Sequence, residues 1–413
     1  MTRLLTRVGR AAMPGAADSL LATAALLAGV VAIGGPTGGP TLAQGEAAAD
    51  GATSLGSPDA RGAFGEPLTF STPLIADAEP IRVELLTSLP GEPGWRVSIA
   101  DVGRVAEGRW QASVIQAGHV VPNTTYRYRF RALTADGVVL GPEASHRVAD
   151  ERLEWQVRRG ERVDLWWHEG DASFAERAAL IAEEAVDAAS ALFGVDEVVK
   201  VDFFVYSDAR AFRQAMGPGT RENVGGQAHP GIRTLFGLIE PSQVRSGWVD
   251  ELIIHELAHL VFDEAVRNPY GYPPRWLNEG LAVHLSTGYT EGDRQLVESA
   301  ARAETIIPLD GLRGQFPTRA RRFTLAYAES VSAVDFFIRT YGREGLAALL
   351  GAFARGSSTD EAFRAVTGSG FTEFDDAWLA SVGARRPEPV GPQPVPSGPL
   401  PAEWRAEPEP LLR

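Results

Sequence analysis

The segment "ELIIHELAHLVF", Glu251 to Phe262, places two histidines four residues apart, with a glutamate directly after the first. On an α-helix, residues at this spacing lie one above the other on the same face. His255 and His259 can therefore present two imidazole nitrogens to one zinc ion, at about 2.0–2.1 Å. Glu256 is rotated by about 100° from His255, so its carboxylate can reach a zinc-bound water without becoming a ligand.

An ordinary buried helix that happens to carry these three residues is the alternative interpretation. The remaining residues of the segment are mostly large and apolar, namely Leu252, Ile253, Ile254, Leu257, Leu260, Val261 and Phe262. Two histidines and a carboxylate in so apolar a helix are energetically costly unless they are paired or bind a metal. The composition of the helix therefore favours a metal site.

A second segment, "PPRWLNEGLAVHLS" (Pro273 to Ser286), supplies a third candidate ligand. A catalytic zinc site uses three protein ligands and a water, so two histidines alone leave the ion under-coordinated. Glu279 follows His259 by twenty residues and lies near the start of a second predicted helix that can fold back across the first. The pair "HELAH" and "WLNEGLA" resembles the gluzincin metallopeptidases, and most closely the peptidase MA-like domains.

The resemblance covers roughly residues 151–385 and implies an α+β catalytic core like that of thermolysin. It implies that His255, His259 and Glu279 hold one Zn²⁺ per chain, with Glu256 as the general base. It also implies that Tyr327, in "AYAESVSAVDFFIRTYG" (326–342), donates a hydrogen bond to the developing oxyanion. A core aromatic without a catalytic role is the alternative interpretation of Tyr327.

The same resemblance implies an edge strand before the active helix, along which substrate main chain would pair. The matching segment is "NVGGQAHPGIRTLFGLIEP", and it predicts a cleft beside residues 225–238. Two features depart from the family. Val283 stands where thermolysin-type enzymes carry an aspartate that orients a ligating histidine, so that partner is unassigned. The Gly-x-Met-Glu-Asn motif of aminopeptidases is absent from the sequence, so aminopeptidase specificity is not supported.

The first 43 residues have the pattern of an export signal. Three arginines precede the apolar run "LLATAALLAGVVAI" (20–33), and small residues follow it up to Ala43. A helix needs about 20 apolar residues to span a membrane, and this run is shorter. Its length therefore favours a cleaved signal peptide over an uncleaved membrane anchor. The sequence therefore predicts an extracytoplasmic protein, secreted or in the cell envelope, without membrane insertion after cleavage.

The chain beyond the signal divides by its patterning into four parts. Residues 44–62 are small and polar and predict a flexible linker. Residues 63–150 predict a small β-sandwich of fibronectin type III or Ig-like type, because aromatics alternate with arginines in "TYRYRFRA" (125–132). Residues 151–385 form the predicted peptidase domain, and 386–413 a proline-rich tail. In the peptidase domain, strands are predicted at 198–206 and 231–241, and helices at 174–194, 208–216, 276–287, 291–304, 323–341, 345–354 and 371–384.

Composition excludes several other functions. The net charge of −14 argues against nucleic acid and anionic membrane surfaces as partners. The sequence of 413 residues contains no cysteine, which removes thiolate metal sites and thiol nucleophiles. Any metal must therefore be held by His, Asp or Glu.

These observations predict a zinc metallopeptidase that acts on a peptide or protein substrate. Two alternatives remain at this level. The first is a surface binding protein in which an inactive or weakly active peptidase fold is a scaffold and the β-sandwich binds the partner. The second is a purely structural zinc site. The intact Glu256 argues against the scaffold, and the lack of an evident fourth ligand argues against structural zinc. Cleavage specificity, endo- or exopeptidase action and oligomeric state stay open.

Overall fold

The computed structural model describes residues 53–387, except 63, 90–91, 93, 136, 219–224 and 269–270. The predicted export signal lies outside the described residues, as do residues 44–52 of the predicted linker and residues 388–413 of the predicted tail. Within the described ranges, no helix combines the length and the apolar character needed to cross a membrane.

The N-terminal region is built from ten strands in two five-stranded antiparallel sheets. One sheet has the order β1-β3-β7-β6 with β2 beside β3, and the other has the order β10-β8-β4-β5 with β9 beside β8. One buried apolar cluster joins side chains of both sheets. The strands are β1 (Ser54–Leu55), β2 (Asp59–Arg61), β3 (Leu68–Ile75), β4 (Arg82–Ser88), β5 (Arg96–Ile99), β6 (Asp101–Ala106), β7 (Arg109–Gln116), β8 (Thr125–Thr134), β9 (Gly137–Leu140) and β10 (Ala144–Arg147).

The alternation in β8 explains why this strand was evident in the sequence. Tyr126, Tyr128 and Phe130 are buried, whereas Arg127 is exposed. The linker prediction differs from the structure between residues 54 and 61, where β1 and β2 pair with β3. These strands have two and three residues, which is too few for an alternating pattern to appear in the sequence.

A third, mixed sheet lies in the C-terminal part of the chain. Its strands are β11 (Gln156–Arg158), β12 (Val163–Trp167), β13 (Val201–Tyr206), β14 (Gly226–His229) and β15 (Thr234–Leu238), in the order β11-β12-β13-β15-β14. The three central strands are parallel, and both edge strands run antiparallel to their neighbours. The strands at β13 and β15 agree with the sequence prediction, and β14 is the edge strand that the family resemblance implied in this segment, whereas β11 and β12 were not predicted.

Eight α-helices complete the described part of the chain. They are α1 (Ala172–Phe193), α2 (Ala209–Met216), α3 (Gly247–Ala265), α4 (Arg275–Ser286), α5 (Glu291–Arg302), α6 (Ala320–Ala354), α7 (Thr359–Thr367) and α8 (Phe371–Ser381). The chain kinks within α6 at Gly342, where φ is 73°. This kink separates the two helices that the sequence predicted there. Helix α7 was not predicted.

Helix α4 is held in place by one large and one very small residue. Trp276 is fully buried, and its ring lies 6.4 Å from that of Phe371 and 6.2 Å from that of Phe374. One turn further, Gly280 faces α6 so closely that a Cβ atom there would lie 2.5 Å from the carbonyl oxygen of Ser330. The close contact between α4 and α6 therefore requires glycine.

We expect Gly280→Ala to lower the free energy of unfolding by about 1–3 kcal/mol, because the added methyl group forces two packed helices apart. Urea denaturation of the purified protein measures this change. Gly292→Ala is the matched control, since a Cβ on this exposed residue of α5 meets nothing closer than 3.6 Å. The control should be neutral or slightly stabilising. Equal effects of the two substitutions would contradict the packing argument.

Candidate metal centre

The three candidate ligands from α3 and α4 converge in the interior of the protein. The Nε2 atoms of His255 and His259 lie 3.2 Å apart. The Oε2 atom of Glu279 lies 3.7 Å from the first nitrogen and 3.8 Å from the second. All three residues are 2% exposed. The tertiary structure thus brings together the residues that the sequence predicted as ligands.

This arrangement fits a divalent cation held by two imidazoles and a carboxylate. Zinc–nitrogen bonds of about 2.0–2.1 Å at tetrahedral angles place two ligating nitrogens about 3.3 Å apart, close to the observed separation. Oε2 of Glu279 is buried and has no hydrogen-bond partner among the described residues. A buried, unpartnered carboxylate oxygen facing two imidazole nitrogens is costly unless a cation binds between them. With three ligands, one tetrahedral position remains for a water or a substrate.

The other carboxylate oxygen of Glu279 is occupied by an arginine. Arg275 lies one turn earlier on α4 and donates from Nε to Oε1 at 3.1 Å. Burial alone would raise the pKa of Glu279, but the imidazoles of His255 and His259 and the guanidinium of Arg275 outweigh it. The result is a pKa lowered from 4.5 to about 2. Glu279 is therefore ionised, as a metal ligand must be.

The orientation of His259 is set by Asn278. The Nδ1 atom of His259 lies 2.8 Å from Oδ1 of Asn278, and Nδ2 of Asn278 donates to the hydroxyl of Tyr272 at 3.2 Å. Because the amide oxygen only accepts hydrogen bonds, Nδ1 of His259 carries the proton and Nε2 presents its lone pair to the centre. The sequence alone did not identify this partner, because Val283 stands where the family resemblance places an orienting aspartate. The position of Asn278 directly before Glu279 was the available signal.

The candidate base, Glu256, is in contact with the edge strand β14. Its Oε2 atom accepts a hydrogen bond from the main-chain N–H of Ala228 at 3.1 Å. A Cβ atom on Gly226 would lie 3.0 Å from Cγ of Glu256, so the strand packs directly on this side chain. Burial raises the pKa of Glu256 from 4.5 to about 7, against the opposing effects of His259 and of the hydrogen bond from Ala228. The carboxyl of Glu256 is therefore more basic than that of an ordinary glutamate.

Tyr327 lies on α6 beside the centre. Its ring packs between Phe316 and Phe323, at centroid distances of 5.2 and 5.1 Å, and lies 6.5 Å from the ring of His255. The hydroxyl is buried without a hydrogen-bond partner in the described part of the chain. Burial and the negative charge of Glu279 raise the pKa of Tyr327 above its usual value. The ring is thus part of the core, while the neutral hydroxyl is free to donate.

We expect Asn278→Ala to weaken zinc binding by about 10- to 100-fold, because His259 loses the acceptor that fixes its tautomer and ring orientation. Competition with a chromogenic chelator measures the affinity. Asn278→Asp is the matched control, since it keeps an acceptor oxygen at the same position and should retain most of the affinity. Unchanged zinc affinity in Asn278→Ala would rule out the orienting role.

Comparison with known proteins gives one family match. The profile of the Peptidase MA superfamily matches residues 181–384. No curated protein matches the chain. Three of the solved structures that match are distantly similar to this chain. They are a two-domain M1 zinc metallopeptidase mutant bound to L-arginine (13% identity, 83% of this chain and 95% of that one, TM-score 0.38), an M1 zinc metallopeptidase mutant from Deinococcus radiodurans bound to a Tyr-Ser-Ala substrate (14%, 82% and 94%, 0.37), and an aminopeptidase N family protein from Idiomarina loihiensis (11%, 79% and 73%, 0.35).

The family match spans both motifs. It includes every candidate ligand, the candidate base and Tyr327. The three ligands that converge in the structure are thus the residues that carried the resemblance in the sequence. Residues 181–384 of this chain accordingly belong to the Peptidase MA superfamily.

Proposed function

We propose that this protein is a zinc-dependent metallopeptidase that hydrolyses peptide bonds in a peptide or protein substrate. His255, His259 and Glu279 hold the zinc ion, and Glu256 is the general base. The observation that carries the proposal is the unpartnered carboxylate oxygen of Glu279, which is buried and faces both imidazoles. Glu256, whose pKa is about 7, stands beside them.

Each side chain has a defined task in this mechanism. Zinc, when bound, polarises the scissile carbonyl and lowers the pKa of a bound water to about 7. Glu256 takes the proton of the attacking water, and its raised pKa allows it to pass that proton to the leaving amine. Tyr327 donates its hydroxyl hydrogen to the developing oxyanion. Asn278 and Arg275 touch no substrate in this scheme and keep His259 and Glu279 oriented.

The substrate is proposed to bind along the outer side of β14. The carbonyl of Gly225 accepts from the N–H of Leu238 at 2.7 Å, and the register pairs Gln227 with Phe236. In an antiparallel pair, alternate residues turn their main-chain groups away from the partner strand. Gly226 and Ala228 are these residues, and the N–H of Ala228 already donates to Glu256. An extended peptide that pairs with this edge would pass beside the candidate base.

The proposal also covers the fold and the location of the protein. The catalytic core is thermolysin-like. The N-terminal region is a β-sandwich of the fibronectin type III or Ig-like kind, which is supported by two antiparallel sheets around one core. The protein acts outside the cytoplasm, in the medium or in the cell envelope. Export is supported by the arginine-rich start and the 14-residue apolar run of the first 43 residues.

We expect Glu256→Gln to lower kcat/KM for a peptide library by about 10²–10⁴-fold while stoichiometric zinc is retained, because only the proton acceptor is lost. Metal analysis and a library digest measure both quantities. In the active enzyme, the rate should fall as the pH drops below the pKa of Glu256, since the protonated carboxyl cannot accept. Equal cleavage by both proteins would disprove the role of Glu256. Zinc binding without cleavage by the wild type would favour the binding-protein alternative.

We expect Tyr327→Phe to lower kcat by about 10²–10³-fold with little change in KM, because one oxyanion donor is removed and the ring stays in place. Steady-state kinetics, with a library peptide that the wild type cleaves as the substrate, measure kcat and KM separately. Tyr289→Phe is the control for loss of a tyrosine hydroxyl away from the two motifs. If Tyr327→Phe retains full kcat, Tyr327 is a core aromatic only.

A further inference from the structure

The edge strand β14 is connected to the N-terminal region through a buried asparagine. Asn123, in the loop before β8, is 8% exposed and has φ 67°. Its Nδ2 atom donates to Oδ2 of Asp202 at 2.9 Å and to Oγ1 of Thr234 at 2.7 Å. Its Oδ1 atom accepts from Nε of Arg147 at 2.6 Å. Both amide hydrogens and the amide oxygen are therefore used, and the side chain has one defined position.

The two acceptors of Asn123 belong to neighbouring strands of the third sheet. Asp202 on β13 pairs in register with Thr234, the first residue of β15. Thr234 is fully buried and pairs in turn with His229, the last residue of β14. The residue before it, Ala228, donates its main-chain N–H to Glu256. A continuous path of hydrogen bonds and strand pairing thus leads from the N-terminal region to the candidate base.

Other contacts make this junction rigid. Arg147, the last residue of β10, stacks on the ring of Trp166 at 5.2 Å, and the indole N–H of Trp166 donates to Asp202 at 2.8 Å. An apolar cluster packs Val121 of the N-terminal region against Phe236 of β15 and its neighbours. Buried aromatic packing with satisfied polar groups is typical of a permanent interface rather than of a detachable module.

We propose that the N-terminal region is an integral part of the catalytic site, and that Asn123 is a positioning residue that holds β14 against Glu256. The expected effect of Asn123 on catalysis rests on the proposed peptidase function, whereas its expected effect on the rigidity of β14 does not. The N-terminal region then cannot be removed as a propeptide without loosening the strand on which substrate pairs. Asn123 acts through Thr234 and β14 and touches neither the metal ligands nor the substrate.

The test uses hydrogen–deuterium exchange of the full chain with Asn123→Gly. Glycine adopts the left-handed backbone without strain, so this substitution removes the side chain and keeps the loop conformation. We expect exchange of the main-chain amides of 226–229 to rise by about tenfold or more. Arg127→Ala is the matched control in the same region, because Arg127 is exposed, forms an ion pair with Glu143 and lies over the ring of Trp95, both within the N-terminal region. Thr234→Val, which removes the other partner of the bond, replaces Asn123→Gly if the latter fails to fold.

Peptide cleavage and zinc affinity are measured separately from hydrogen exchange. We expect Asn123→Gly to lower kcat/KM by about tenfold and to leave zinc affinity unchanged, and Arg127→Ala to change neither quantity. Wild-type exchange at 226–229 in Asn123→Gly would overturn the proposal, even in a protein that cleaves nothing. Faster exchange in Asn123→Gly without any loss of kcat/KM would also overturn it. So would a loss of zinc affinity as large as the loss of kcat/KM.

Discussion

The negative charge of Glu279 is buried in the interior, and the surrounding structure compensates it from both sides. A buried carboxylate without partners costs several kcal/mol, even after the protein relaxes. Arg275 satisfies one oxygen, while the other faces the Nε2 atoms of His255 and His259. Arg275 lies on the same helix as Glu279, whereas the contact with the imidazoles depends on distances of a few ångströms and therefore requires one relative position of α3 and α4. The same position leaves a site for a cation.

The elements around α3 and α4 maintain that position. The ring of Trp276 packs α4 against Phe371 and Phe374 of α8, and α4 approaches α6 as closely as Gly280 allows. Strand β14 lies against Glu256 and is anchored through Thr234 to the N-terminal region. The candidate base thus has its environment set by a strand that is remote in sequence from its own helix. Its raised pKa is a consequence of this enclosure.

The long periodic elements were predictable from the sequence, whereas several short elements were not. Helix α4 begins one residue before its predicted start, and β8 has the alternation that burial of one face requires. Strand β14 reads "GQAH" and has no apolar pattern, because its main chain rather than its side chains holds it at the sheet edge. Strands β1 and β2 were hidden in a predicted linker because, at two and three residues, they are too short to show an alternating pattern. Helix α7 has nine residues, which is about two and a half turns, so the sequence offered few repeats of its helical period.

The sequence by itself determined which side chains can bind the metal. The spacing of His255 and His259 is a local property of a single helix, and the second motif supplied Glu279. Only the tertiary structure decided which groups from other elements orient and tune these residues, namely Asn278 on His259 and the Ala228 main chain on Glu256. The reason is physical. These contacts depend on how α4 and β14 approach α3, and that approach is set by packing between segments far apart in the chain.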